Sequence, residues 1–328
     1  MTYTRNELLS LKNDSENIIQ EVNQNLFDML HQGDKLTLTE SRYICLKLKT
    51  LRDEKGERPF KALDFPQCED FLFWEKYLFY FNDLEGWGKI KDSPDSFIIN
   101  EQKAKDVKFL DEHYKSWKAM IYADRYESAF LQTVASETKS LIKEITSLSR
   151  ERGEGGNHRK YIEKALILNS KYIYFQVREY YEEIKANEEL MDFCGEKLVI
   201  DHFAYTHILL RHYSSNTKFG RQGKSYHTDQ EIDFKEIPAI ILELLKSCSD
   251  RNLTASFQGD HIFFNLRGKD YALWFRRINR SIKGGTEKIL RVQTFYPIES
   301  PYELSKLKEL QQTPIIDDLA FYIPIIRG

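Results

Sequence analysis

Cysteine is scarce in this 328-residue chain: there are four, Cys45, Cys68, Cys194 and Cys248, and none belongs to a CxxC pair. That spacing gives no support to a zinc ribbon or a thiol-redox motif, and reads instead as free thiols in a reducing compartment. Long apolar runs are missing as well. No stretch approaches the roughly 20 residues needed to span a bilayer. The opening Met1-Thr2-Tyr3-Thr4-Arg5-Asn6-Glu7 lacks the basic-then-apolar layout of a signal peptide. A cytoplasmic protein with no membrane anchor is expected. Proline (8) and glycine (15) are sparse, so each cluster punctuates the chain. Gly153-Glu154-Gly155-Gly156 is the sharpest break. With no strand before it and no Lys-Ser/Thr pair after it, it reads as a helix–helix hinge rather than a phosphate loop.

What the chain has is charge (30%) and aromatic mass (13%), enough apolar bulk to argue against disorder. The charge is polarised. Lys+Arg minus Asp+Glu is −6 over residues 1–195 and +3 over 196–328, and eight basic against two acidic residues give +6 within 261–291. A basic patch behind an acidic front half suits an anionic partner at the back.

Helical periodicity dominates the first 190 residues. One helix is expected over 5–31, stopped by Gly33, another over 43–51, and a long one over 125–152, which lacks Pro and Gly. Asn157 caps the next. The aromatic run Phe71, Phe73, Trp74, Tyr77, Phe79, Tyr80 and Phe81 reads as core packing rather than a base-stacking surface, because no basic residues interleave densely. After about residue 190 the character changes. Lys197–Ile200 reads as a short strand, 201–213 and 237 onward as helices, and 253–257, 261–266, 271–278 and 289–296 as an antiparallel four-stranded meander. The fold class expected is α+β: an all-α regulatory, sensing or dimerisation domain over 1–190, then a small α+β domain over 191–328. The proline-containing tail after Pro297 is expected to wrap the surface or add an edge segment.

Five of the eight histidines fall between His202 and His261, beside arginines and strand-borne hydroxyls. That composition suits acid–base chemistry on a phosphate without a metal. His207 and Arg211 are four apart on one helix face; His212 lies near the helix end. Successive five-residue steps from His202 to His207 to His212 turn each side chain by about 140°, so no metal site is expected. On the last strand, alternation places Leu290, Val292, Thr294 and Tyr296 on one face and Arg291, Gln293 and Phe295 on the other. Arg276 and Arg277 point to opposite faces, and either can line the site. Plainer readings stand beside these: His207 as a hydrogen-bonded core residue, Thr294 as a β-branched sheet former.

Thr206-His207-Ile208-Leu209-Leu210-Arg211-His212 resembles the "HI…RH" helix of the barnase–EndoU–colicin–RelE-like (BECR) nuclease superfamily, most of all its phage- and polymorphic-toxin branches. The likeness continues through Ile237-Pro238-Ala239-Ile240-Ile241 and Arg267-Gly268-Lys269-Asp270-Tyr271. It ends in Leu290–Tyr296, which resembles the superfamily's "V-x-T-x-Y/F" strand. The resemblance covers about residues 196–300 and implies metal-independent RNA cleavage by a toxin or anti-phage defence effector. It implies His207 or His212 as the acid–base group, Thr294 in contact with the reacting phosphate, and Lys269 and Arg276 holding its charge. The sequence departs from the family in the long loop 214–233, whose Lys224 and His227 are read as a candidate substrate lid. Beside what the resemblance implies, Tyr296 is a further catalytic candidate on the last strand, and Arg211, Arg267 and Arg277 are further substrate-binding candidates. The expected partners are RNA, with tRNA a candidate, an antitoxin or immunity protein, and a second copy of the chain through the helical domain; no cofactor is expected. The rival reading is a non-catalytic nucleic-acid-binding or protein-interaction protein with a degenerate nuclease-like domain.

Overall fold

The computed structural model describes residues 3–11, 14–34, 36–37, 40, 43–44, 73, 76–77, 100–213, 225–227, 232, 234, 236–251, 253, 257, 259–282, 284–316 and 318–325. The elements are α1 (Arg5–Ser10), α2 (Glu16–Gln32), α3 (Asn100–Ile121), α4 (Ala129–Glu151), α5 (Gly156–Glu183), β1 (Glu188–Phe193), β2 (Glu196–Asp201), α6 (His202–Arg211), α7 (Ile237–Asp250), β3 (His261–Leu266), β4 (Lys269–Ile282), β5 (Gly285–Pro297), α8 (Pro301–Leu307), β6 (Leu310–Ile316) and β7 (Leu319–Pro324). The chain divides into two compact units, one of Met1–Asp124 with Glu154–Glu183, the other of Arg125–Gly153 with Ile184–Gly328. It therefore changes unit three times, and α4 from the helical half of the sequence belongs with the sheet. No helix among the described residues is long and apolar enough to cross a membrane.

The first unit is helical. The helix expected over 5–31 is two: Thr4 and Glu7 close a capping box on α1, and extended Ser15 starts α2 afresh. Gly33 ends α2 in the left-handed conformation, φ 80°. Phe73 and Tyr77 are buried with Leu26, Leu30, Leu110 and Phe175, and Tyr77 Oη donates to Asn169 Oδ1 at 2.9 Å. The rest of the 71–81 aromatic run, and most of the 43–51 helix, lie outside the described residues.

The second unit corrects the expected sheet. It has seven strands, ordered β1-β2-β5-β4-β3-β7-β6, and is mixed, because β2 runs parallel to β5 through Leu198↔Leu290 and Val199↔Arg291. Two sources supplied the extra strands. Polar β1 pairs with β2 around Cys194-Gly195, and the tail supplies β6 and β7. Pro314 is accommodated because β6 is an edge strand with its irregularity at Pro314/Ile316. Of the expected strand over 253–257, Leu253 and Phe257 lie outside any strand and 254–256 lie outside the described residues. The β1–β2 and β3–β4 hairpins each turn on two residues with positive φ, Cys194 (52°) with Gly195 (78°) and Arg267 (52°) with Gly268 (80°). That is the conformation a two-residue loop needs to match strand twist. On one sheet face Phe264, Phe275, Val292, Phe295 and Phe321 are all buried. The other carries the polar residues described next.

Candidate active site

The site begins at a bulge. On β4, Trp274 pairs with Thr294 but Phe275 pairs with Val292, so Gln293 is an extra residue in β5. Simple alternation across this strand therefore fails. Val292 and Phe295 share the buried face, and Arg291 moves to the face of Thr294 and Tyr296. Their pairing partners on that face are Arg276, Trp274 and Ala272. The sequence carried a trace of this: the fully buried residues Leu290, Val292 and Phe295 step by two and then by three.

Helix α6 lies over this face. It springs from the last residue of β2, where Asp201 Oδ1 accepts from the amides of Phe203 (3.1 Å) and Ala204 (3.3 Å) and caps it. The Arg291 guanidinium stands 4.1 Å from the Phe203 ring centre, and the His212 ring stacks on Tyr296 at 5.0 Å. His207 falls between those two contacts along α6, as Thr294 does along β5. The His207 ring stacks on Phe203 (5.3 Å) and reaches His212 (5.9 Å). On its outer side α6 meets α4. His207 Nδ1 and Arg211 Nε each lie 2.9 Å from Glu137 Oε2, and Arg211 Nη1 and Nη2 donate to Glu144 Oε2 and Ser140 Oγ, both at 2.9 Å.

Electrostatics distinguish the groups. Burial alone would raise the Glu137 carboxyl, but His207 and then Arg211 outweigh it and hold its pKa at about 2. Burial pushes His202 down to about 4, so it stays neutral at pH 7, stacked on Phe130. Burial, and then the bond its hydroxyl donates to Glu303 (2.6 Å), raise Tyr296, so it remains a phenol and a hydrogen-bond donor. Burial lowers the Arg291 pKa, with Asp201 opposing and Arg276 reinforcing the shift. Arg291 Nε and Thr294 Oγ1 are buried and without a hydrogen-bond partner among the described residues. Asp201 Oδ2 is 3.8 Å from Arg291 Nη1, beyond hydrogen-bond reach. An anion entering here would find two cations and a hydroxyl already placed.

The expected site residues thus fall into groups. Thr294, Tyr296 and Arg276 share one sheet face; His212 stacks on Tyr296 there, and His207 lies beside His212 on α6. Arg211 touches the same cluster with its guanidinium engaged by α4. Arg267 and Lys269 lie at the β3–β4 turn, paired with Glu236 (3.3 Å) and Glu299 (3.6 Å); five residues along β4 put Lys269 about 17 Å from Trp274. Arg277 points to the opposite face and binds Glu196 and the Gly259 carbonyl. His227 Nε2 bonds the Phe295 carbonyl at 2.9 Å, beside the Tyr213, Tyr271 and Phe295 rings. Lys224 lies outside the described residues. Sequence reasoning missed Arg291, whose face the bulge decides, and Glu137, 70 residues from His207. It also missed His261, whose Nδ1 meets Asp260 Oδ1 at 2.6 Å while its ring lies against Trp274. Among the described residues no group of three or more His, Cys, Asp or Glu is placed to share a metal ion. No family model, curated protein or solved structure matches the chain.

Proposed function

We propose that the protein is a metal-independent ribonuclease acting as a toxin or defence effector, with its site on the β4–β5 face beneath α6. The observation that carries the reading is the pair His207 and His212, ring centres 5.9 Å apart, with His212 stacked on Tyr296 of the strand face that carries Arg276, Arg291 and the unpartnered Thr294 hydroxyl. One imidazole takes the proton of a ribose 2′-hydroxyl, and the freed oxygen attacks the adjacent phosphorus. The bond to the 5′-oxygen breaks, and that oxygen receives a proton from the other histidine as imidazolium. Arg276 and Arg291 offset the charge gathering on the phosphoryl oxygens, with Thr294 as a further donor. The products are a 2′,3′-cyclic phosphate and a free 5′-hydroxyl. tRNA is one candidate substrate.

A second reading, a binding module that grips RNA or a protein without cutting, draws support from the cations held away from this cluster: Arg267, Lys269 and Arg277. Incubating the purified full chain with total RNA in excess EDTA separates the two, beside a protein carrying His207→Ala and His212→Ala. Fragments ending in cyclic phosphate, absent with the double variant, support cleavage. Salt-sensitive binding with intact RNA in both samples supports the binding module.

A further inference from the structure

We infer that Glu137 is a positioning residue that fixes His207 as the general base of the site. The inference rests on the cleavage reading and deepens it by assigning which histidine removes the 2′-hydroxyl proton. A carboxylate whose pKa is held at about 2 is ionised at any working pH and can only accept hydrogen bonds. His207 Nδ1 stands 2.9 Å from Glu137 Oε2. Two acceptors would repel at that separation, so Nδ1 carries the proton and donates it. The neutral ring is therefore held with its lone pair on Nε2, on the side of the imidazole away from Glu137. That is the tautomer and the atom a base requires.

The carboxylate is itself held. Arg211 Nε bonds the same oxygen, and the rest of the guanidinium spans Ser140 and Glu144. These α4 residues, at i, i+3 and i+7 from Glu137, form one helical stripe. The Phe203 ring stacks on His207, and the His212 ring centre lies 5.9 Å from it; both neighbours restrict rotation of the ring. Glu137 thus acts through His207, and Arg211 serves as the brace for Glu137. His212, at the C-terminal cap of α6, where the helix dipole favours a cation, is left as the acid. The proton count closes: His207 gains the 2′-hydroxyl proton and His212 gives one to the departing 5′-oxygen.

Two measurements on the full-length protein test this. In long-range 1H–15N spectra, neutral wild-type His207 is expected as the Nδ1–H tautomer. Glu137→Gln, whose amide can donate as well as accept, should make the Nε2–H form detectable; Glu144→Gln, which alters a partner of Arg211 and leaves the Glu137 carboxylate in place, should not. In steady-state RNA cleavage, Glu137→Gln should lower kcat about 10- to 100-fold, the size of loss seen when a metal-bound histidine loses the partner that fixes its tautomer, with KM unchanged. A wild-type His207 protonated on Nε2, or a folded Glu137→Gln enzyme with wild-type kcat, would overturn the inference. If Glu137→Gln does not fold, the wild-type tautomer decides. If the wild-type protein leaves RNA intact, the cleavage reading fails, whereas the claim about His207 still stands or falls on its nitrogen signals.

Discussion

Arg276 and Arg291 occupy directly opposed positions on β4 and β5, on the same face of the sheet. Like charges directly across a strand pair are destabilising; here Arg291 also stands over the Phe203 ring and 3.8 Å from Asp201 Oδ2. Under the proposed function the pair meets the phosphate of the substrate.

Arg276→Ala is therefore expected to leave the melting temperature unchanged or slightly raised while weakening RNA binding. If each arginine neutralises one phosphate, either single alanine variant should reduce the slope of log K against log salt by about 1. Binding titrations at several salt concentrations check this. An unchanged slope would show that the pair does not meet phosphate.

Gln293 is the extra residue of the bulge, so its deletion should be tolerated. The shortened strand alternates regularly and keeps Arg291, Thr294 and Tyr296 on one face, opposite Arg276, Trp274 and Ala272. Gln293→Ala keeps the bulge and removes a side-chain oxygen that has no partner among the described residues. Cleavage within about 10-fold of wild type, with the circular dichroism retained, is expected of both variants. A loss of about 100-fold confined to the deletion would mean that the local bend of the bulge, and not the face alone, positions Arg291.

Glu137 gives the unit an acid limb. Its folded pKa, about 2, lies below its ordinary value of 4.5, so its contribution is present above about pH 4.5 and is lost as pH falls toward 2. The scale is on the order of 3 kcal/mol as an upper figure. Denaturant unfolding of wild type and Glu137→Gln from pH 7 to pH 2.5 should show the gap between them closing as the acid end is approached. A gap independent of pH would contradict the linkage.

A fragment beginning at residue 190 should fail as an isolated domain. It lacks α4, leaving Arg211 without Glu137, Ser140 and Glu144, and it cuts into the edge strand β1. Aggregation or loss of the near-ultraviolet signal is expected. A fragment with a cooperative melt like that of the full chain would mean that α4 contributes little to the fold.

Helices α2, α4, α6 and α7 and strands β2 to β5 are legible in the sequence, whereas the break between α1 and α2 and the short helix α8 are not. Capping residues, the Gly33 stop and apolar spacing act locally, and the α6 histidines with Thr294 and Tyr296 were legible as one candidate group for the same reason. Tertiary structure decided the rest. The polar strand β1 and the proline-bearing β6 carry weak strand propensity and exist because a neighbouring edge offers backbone partners. The face on which Arg291 stands depends on a single residue of strand register. Glu137 meets His207 only because a helix from the first half of the chain folds against α6. Interactions within a few residues are set by local geometry, whereas strand partners, a bulge and an ion pair across 70 residues depend on which surfaces the whole chain brings together.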